Sequence, residues 1–488
     1  MARVAAPGSD GTTSTPVADA HPALPTAWLA AIVAVLVAGA LWGIDRSLWL
    51  DEAYSLGAVH ELGRATIEDR ASMLGFHLLL WPIALVSEAP WVLRLLSLGA
   101  SAASVVLVAR TAAIDHGRRA AVATGLFLAT TWTVISHAQE VRSYALGLLV
   151  TVAQWHLLRS WVRSGDRRAL RGWAVLAVLG TFVHGLLVLQ VLAQAATVEL
   201  AGVDRDRRVP VRWWAVAAAG PPAALALTGA AALTPYQPPL TATTVTSLVE
   251  SMVGPGLRGL PVLALTAVGA ALLVRRARAA TPGADRFTAL APVVWAVVPL
   301  AALVAVSVVT PKMVPRYIFP SVAGTALLVG VAVTALPTRR IATGAVAAVV
   351  ALLAVHQVDG HRAGSGDWAG AAALVAEQAR PGDALVFPRA NRRPPFEAEW
   401  DRRSSVPELE TVNPDEPLGS TRWLRDDIPV DEVVARATTH DRLWLVTEPF
   451  DSVDREQPVY DGITAAGYRC GDPSRFGMNI TVTLCVGP

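Results

Sequence analysis

Asp51 and Glu52 stand side by side in an otherwise apolar and aromatic string, Ser47-Leu-Trp-Leu-Asp-Glu-Ala-Tyr-Ser55, just after the first long apolar run. A carboxylate drawn into such surroundings is costly to hold unless it is paired or functional. The plainer alternative is a solvated loop end that Asp45 and Arg46 anchor at an interface. Two further strings carry ionisable groups among apolar neighbours. Ser136-His-Ala-Gln-Glu-Val-Arg-Ser-Tyr144 holds Glu140, Arg142 and Tyr144, and Pro315-Arg-Tyr-Ile-Phe-Pro-Ser321 holds Arg316 and Tyr317, with the chain's single lysine, Lys312, just before it. Positioned carboxylates move protons and fixed cations hold anions.

These residues need elements to hold them, and composition says what solvent those elements meet. Of 488 residues 53% are hydrophobic and 16% charged, with a mean hydropathy of +0.44, where a soluble chain carries about 25% charged residues. The apolar residues fall in separate runs of the length that crosses about 30 Å of hydrocarbon. Reading them as spans gives residues 27–44, 91–109, 120–137, 144–161, 173–187, 189–201, 213–233, 258–274, 287–309, 316–336 and 341–357, eleven in all. The apolar stretch from Leu74 to Val86 is short and broken by Pro82, which suits a helix lying at the interface.

The runs at 173–187 and 189–201 are divided only by His184 and Gly185, and they read either as a hairpin or as one long helix. The arginines favour the hairpin. With it, Arg118 and Arg119, Arg163 to Arg171, Arg205 to Arg212, Arg275 to Arg278, and Arg339 and Arg340 all fall on one side, which the positive-inside bias makes cytoplasmic. That orientation places residues 1–26 inside as a disordered tail without the charged start and cleavage site of a secretory signal. Residues 27–357 then form the membrane domain, with a first outer loop at 45–90. The same arginine placement argues against nucleic-acid binding.

From 358 to 488 the sequence turns charged and Pro-rich. Trp368 to Gln378 reads as a helix, Pro381-Gly382-Asp383 as a turn and Ala384 to Phe387 as a buried strand, an order that predicts an extracytoplasmic α/β domain. The stretch from Asn391 to Asp427 reads as an extended loop. Cys470 and Cys485, the only cysteines, suit either a disulfide between adjacent terminal strands in an oxidising compartment or two buried thiols.

The three ionisable strings, taken in order, resemble signatures of the GT-C glycosyltransferases related to protein O-mannosyltransferases and the aminoarabinose transferase of lipid A. Leu48-Trp-Leu-Asp-Glu-Ala-Tyr-Ser is similar to the family's first-loop signature, Ser136 to Tyr144 to its S-Q-E-x-R-x-Y string, and Pro315 to Ser321 to its R-Y-x-x-P segment. One departure stands out: Leu74-Gly-Phe-His-Leu-Leu-Leu80 lies where many relatives have H-P-P-L-Y-Y, so His77 replaces either an aromatic or the family's histidine. The resemblance implies a helical polytopic fold of the GT-C type, about 11 transmembrane helices, in the plasma membrane. It implies inverting transfer of a sugar, mannose or another hexose or pentose, from a polyprenyl-phosphate donor to a glycan, glycolipid or protein acceptor at the outer face.

Asp51 would be the general base that takes the acceptor's proton. Lys312 and Arg316 would meet the charge on the leaving phosphate, unless they merely snorkel to headgroups. Glu140 and Arg142 would orient a sugar and bind phosphate or hold Asp51, or else form an internal ion pair. Glu52, Tyr54, Tyr144 and Tyr317 complete the expected binding set, Glu52 chiefly as a support that pairs with backbone or arginine. Relatives often carry a histidine at the position of His184, and His77 is the remaining candidate. No cofactor is implied with certainty. A divalent cation at Asp51 or Glu52 stays open, although two adjacent acids make a poor cage. No zinc-type cysteine cluster, P-loop or G-x-S-x-G elbow is present. Two rivals remain at this point: a flippase of lipid-linked sugars, for which no internal repeat speaks, and a non-catalytic scaffold of envelope assembly.

Overall fold

A computed structural model of the chain describes residues 24–68, 71–227, 240–309, 313–364, 366–403, 407, 409–412, 427–448 and 455–488. The first part is helical: α1 (Thr26–Leu41), α2 (Leu50–His60), α3 (Leu62–Glu68), α4 (Leu74–Ala84), α5 (Pro90–Thr130), α6 (Trp132–Ala138), α7 (Tyr144–Ser164), α8 (Arg167–Val183), α9 (Val188–Leu200), α10 (Arg205–Leu227), α11 (Ala242–Val253), α12 (Gly256–Ala279), α13 (Ala284–Val309), α14 (Val322–Thr334) and α15 (Arg339–Ala363). Each predicted span meets helix. Five of the described helices, counting Pro315–Thr334 as one, are long and apolar enough to cross a bilayer unaided, with shorter apolar helices at Thr26–Leu41, Leu74–Ala84 and Gly185–Leu200. The chain is thus a helical, multi-pass membrane protein.

The two predicted spans at 91–109 and 120–137 are parts of α5, which breaks at Gly117 with φ 86° and ψ 171°, a backbone that glycine alone adopts without strain. The second ends earlier than expected, because Thr131 is extended and α6 starts a separate turn. The carbonyl of Thr130, freed at this break, accepts from the Gln357 amide at 2.6 Å. At 173–201 the chain reverses. His184 is extended (φ −161°, ψ 121°) and ends α8, and Trp173 Nε1–H donates to Gln194 Oε1 at 2.7 Å across 21 positions. One continuous helix would hold those side chains about 30 Å apart at 1.5 Å per residue. The Trp173 bond continues to α7, since Gln194 donates to Gln154 at 3.0 Å.

The second part is an α/β sandwich of α16 (Trp368–Gln378), β1 (Ala384–Val386), α17 (Arg393–Trp400), β2 (Glu410–Thr411), α18 (Val430–Ala437), β3 (Arg442–Thr447), α19 (Glu456–Ala465), β4 (Arg469–Cys470), β5 (Ser474–Phe476) and β6 (Ile480–Val486). The strand order is β2-β1-β3-β6-β4, with β5 also on β6. β1 runs parallel to β2 and β3, and β6 antiparallel to β3. Alternation sorts the strands' side chains into two cores. Leu385, Phe387, Trp444 and Val446 face α16 and α17 with Trp368 and Phe396, while Ala384, Val386, Leu443 and Leu445 face α18 and α19 with Val433, Val459 and Ile463. Burial on both faces explains the unbroken apolar run of β1.

Two expectations need correction. The stretch from Asn391 to Asp427 is not one extended loop: it holds α17, begun by two prolines in its first turn, and β2. A helix absent from the sequence reading, α11, packs its Leu248, Met252 and Val253 inward. Cys470 lies opposite Cys485 in the β4–β6 ladder and the two form a disulfide. Closing a loop of this length stabilises a fold by about 3 kcal/mol in the chain-entropy account. Full-length protein carrying Cys470→Ser and Cys485→Ser is expected to lose that much in the unfolding of the α/β part, measured by denaturant titration in detergent, with the helical part's transition unmoved.

Candidate functional site

The site begins with the short link between α1 and α2. α2 opens at Leu50, so Asp51 and Glu52 both lie in its first turn, where the exposed N–H groups favour negative charge. Successive residues on a helix point about 100° apart, and these two go separate ways. Glu52 is fully buried. Its Oε1 accepts from Arg94 Nε at 2.9 Å and from the Val141 backbone N–H at 2.7 Å, and its Oε2 from Arg94 Nη2 at 2.7 Å and the Trp49 N–H at 3.2 Å. Four acceptor positions are thus filled from four directions. Glu52 thus faces away from Asp51, paired with arginine and backbone.

Arg94, in the first turns of α5, is equally complete. Besides its two bonds to Glu52 it donates to the carbonyls of Ile44 and Arg46, each at 2.7 Å, and of Ser47 at 3.2 Å. All five of its N–H groups are therefore used, and the loop that delivers Asp51 is tied to the start of α5. The sequence reading missed Arg94, which lies in an ordinary apolar run and signals itself only by being a lone charge inside a span. It also missed Gln139, whose amide donates to the carbonyls of Ala40 at 2.6 Å and Trp42 at 2.5 Å and so fixes the end of α1.

Asp51 points the other way, towards the remaining strings. Its Oδ2 lies 3.4 Å from Arg316 Nη1 and 3.7 Å from Arg142 Nη2. Among the described residues this buried oxygen accepts no hydrogen bond. Arg142 reaches back with Nη1 to the Asp51 carbonyl at 3.2 Å and to Ser55 Oγ at 3.3 Å. Side-chain exposure grades outward, 5% for Arg142, 14% for Asp51 and 34% for Arg316, so Arg316 is the edge that solvent and ligands meet first.

Aromatic rings floor the cluster. The Arg316 guanidinium lies 5.8 Å from the Tyr144 ring centre and 5.9 Å from that of Trp49, and Arg142 lies 5.9 Å from Tyr144. Tyr144, His184 and Tyr317 then follow ring to ring at 5.6 and 5.5 Å. Burial opposes charge on the Arg142 guanidinium, and the Asp51 carboxylate and Tyr144 beside it outweigh it, so its pKa is raised. Glu140 sits one layer back. Its Oε2 contacts His137 Nδ1 at 2.8 Å, and although burial works against ionisation, His137, Arg46 and Arg316 hold its carboxyl below the usual range.

The remaining expected residues sort by position. Tyr54 is buried within α2. His77 is on the protein-facing side of α4, with Phe76, Leu80 and Ala84, opposite the exposed Leu78, Leu79 and Trp81; the pattern fits a helix with one side in lipid. Lys312 lies outside the described residues. No group of three or more metal-binding side chains occurs among the described residues.

The α/β part grips the same link. The Ala369 N–H donates to Ser47 Oγ at 3.0 Å, Glu399 of α17 accepts from the backbone of Leu48, and Ala398 packs on the cluster that contains Leu48 and Leu56. Burial pushes the Glu399 carboxyl up, against the pull of Arg402 and of that backbone bond.

Helical core, capping α/β domain and first-loop acids together make the GT-C fold of membrane glycosyltransferases. No protein-family model matches the sequence, and no curated protein is significantly similar to it. Among solved structures the chain is similar to ArnT, an aminoarabinose transferase from Cupriavidus metallidurans, in the apo state, with a TM-score of 0.61 and 14% identity over 94% of this chain and 98% of that one. The same enzyme bound to undecaprenyl phosphate gives a TM-score of 0.57 and 13% identity over the same shares. The apo oligosaccharyltransferase of Archaeoglobus fulgidus gives 0.54 and 11%, over 87% of this chain and 69% of that one. At these identities the likeness establishes the fold.

Two outcomes test the construction. Arg94→Met leaves Glu52 buried without its partner and is expected to cost about 3–5 kcal/mol, read as a lower unfolding midpoint in detergent. Adding Glu52→Gln to it is expected to lose less than the two single changes summed. The second outcome concerns pH. Burial, then the charge of Arg142, holds His77 at about 3. The unfolded chain takes up this proton near pH 6.5 and the folded one only near 3, so stability is full above pH 6.5 and falls as pH drops through that window. Unfolding midpoints measured from pH 7.5 to 5 should show this fall, and His77→Gln should flatten it.

Proposed function

We propose that the protein is a glycosyltransferase that moves a sugar from a polyprenyl-phosphate donor to an envelope acceptor, with inversion at the anomeric carbon and Asp51 as general base. The observation that carries this reading is Asp51 Oδ2, buried, without a hydrogen bond among the described residues, and facing two guanidiniums. A carboxylate oxygen with unspent acceptor capacity is what proton removal requires, and a pair of fixed arginines beside it is what a phosphate leaving group requires. The fold supports the class of donor, since one structure to which the chain is similar is an aminoarabinose transferase bound to undecaprenyl phosphate.

In this mechanism the donor phosphate docks on Arg316 first, at the exposed edge, and then on Arg142. Each guanidinium turns part of its charge from Asp51 to the phosphate, which leaves Oδ2 free to meet the acceptor hydroxyl. The hydroxyl oxygen bonds to the anomeric carbon as the bond from that carbon to the phosphate oxygen breaks. The electron pair leaves with the phosphate, where the arginines receive it, and the proton passes to Asp51. Tyr144 and Tyr317 offer faces on which a sugar ring packs. Lys312, close in sequence to Arg316, is proposed as a further phosphate contact, and Glu140 as a group that sets the field at Arg316 from the layer behind.

The proposal sets the site and the α/β domain on the extracytoplasmic side. The side-sorting of loop arginines and a disulfide, which suits an oxidising compartment, both support that orientation. Sugar and acceptor are left at the level of class, a hexose or pentose moved to a glycan, glycolipid or protein.

Transfer of labelled sugar from a polyprenyl-phosphate sugar in detergent tests the activity, because micelles have no second compartment and transport alone would give no product. Asp51→Asn is expected to lower turnover by about 10²–10⁴-fold while donor binding stays within a few-fold. Arg316→Ala is expected to weaken binding of polyprenyl phosphate about tenfold or more, the loss of one charged hydrogen bond. Full transfer by a normally inserted Asp51→Asn protein would remove Asp51 from the role of base.

A further inference from the structure

Ser47, Leu48 and Trp49 lie between α1 and α2 and belong to no helix or strand, so their placement depends on what binds them. All three are held, but by different parts of the protein. From the helical part, Arg94 takes the Ser47 carbonyl at 3.2 Å, and Glu52 Oε2 accepts from the Trp49 N–H at 3.2 Å. The α/β domain supplies the rest. The Ala369 N–H, in the first turn of α16, donates to Ser47 Oγ at 3.0 Å, and the Leu48 N–H donates to Glu399 of α17. Ser47 and Leu48 are buried under these contacts.

Those two outer contacts form one unit. Glu399 is buried, and its Oε1 accepts from Arg402 Nη2 at 3.0 Å. Arg403 Nη2 donates to the Ala369 carbonyl at 2.8 Å, so the residue that grips Ser47 is tied to the end of the helix that grips Leu48. Trp49 carries this grip into the site. Its ring lies 5.9 Å from the Arg316 guanidinium, and among the described residues its indole N–H has no hydrogen-bond partner. No polar contact of the Trp49 side chain fixes the ring, so its place follows from the backbone beneath it. Arg316 is held as lightly. Its Nε has no hydrogen-bond partner among the described residues, and what faces it are Asp51 Oδ2 at 3.4 Å and the rings of Trp49 and Tyr144.

We infer that Glu399, together with Ser47, is a positioning residue for the phosphate end of the site: the α/β domain, through the main chain of residues 47–49, sets the Trp49 ring beside Arg316. The inference rests on the reading of the Asp51 cluster as a transferase site. It divides the work of alignment between the two parts of the protein. The Glu52–Arg94 pair, within the helical part, directs Asp51, whereas Glu399 directs the guanidinium that meets the donor phosphate first. A misplacement of about 1 Å in such a group costs up to about 10²-fold, so the site is complete only with the α/β domain seated on the link.

The test uses the full chain in detergent, labelled with 5-fluorotryptophan, with the Trp49 fluorine resonance identified by its loss in Trp49→Phe, alongside transfer kinetics with a polyprenyl-phosphate sugar. Glu399→Ala is expected to move the Trp49 resonance by more than its linewidth and to raise the donor KM about fivefold, with kcat within about twofold. Simple loss of folded protein does the reverse, lowering apparent kcat and leaving KM alone. Glu399→Gln keeps an oxygen that accepts from the Leu48 N–H and is expected to restore both readouts. Cys470→Ser with Cys485→Ser, which loosens the same domain away from the link, is expected to leave the resonance in place. Ser47→Ala, a smaller change, is expected to move it too, and keeps the test decisive if Glu399→Ala does not fold. An unmoved Trp49 resonance in folded Glu399→Ala or Ser47→Ala protein, a Gln variant that behaves as Ala does, or a disulfide variant that moves the resonance as far would each overturn the inference. A wild type that transfers no sugar while Glu399→Ala still moves the resonance would support the positioning of Trp49 and overturn the transferase reading instead.

Discussion

The pairing of Glu52 with Arg94 governs the rest of the site. Two buried charges are tolerable in a membrane protein's interior only when every donor and acceptor is met, and here the set closes: five N–H groups of Arg94 and four acceptor positions of Glu52 are all bound. A closed set has one geometry. It fixes the end of α1, the start of α2, the start of α5 and the turn before α7 relative to one another, and Asp51 inherits its direction from the residue that follows it.

Two neighbouring acids thus split into roles through helical geometry alone. With about 100° between successive side chains, one of the pair turns into protein and the other into the cluster of Arg142 and Arg316. The environment then separates them chemically: Glu52 is saturated with donors, whereas Asp51 Oδ2 is bracketed by charge and spared hydrogen bonds among the described residues. The arginines that bracket it lie over the rings of Tyr144 and Trp49, a cation–π placement that a lysine, without the planar fork, would not reproduce.

Much of the fold was legible because its signals are local. The apolar runs mark helices, loop arginines favoured a reversal at His184, and Trp173 with Gln194 shows it. The strand from Ala384 read as buried because nothing polar interrupts it. Asp51, Arg142 and Arg316, one from each charged string, lie together, and Glu52 pairs with Arg94. What stayed hidden was relational. Nothing about Arg94 in its own neighbourhood says which carboxylate it serves, since that contact spans 42 positions. α17 was hidden for another reason: its prolines read as loop, yet proline is well suited to a helix's first turn. α11 is short and its inward positions face a segment that only the tertiary fold supplies.

The grip on the link before α2 is made largely with main-chain atoms. Arg94 holds the carbonyls of residues 44, 46 and 47, and Glu399 of the α/β domain holds the N–H of Leu48. Main-chain groups are the same whatever side chain they bear, so such a grip is blind to most substitutions in the segment it holds. Shape can therefore persist while spelling drifts, and a chain that no family model matches can share its fold along 94% of its length with a transferase 14% identical to it.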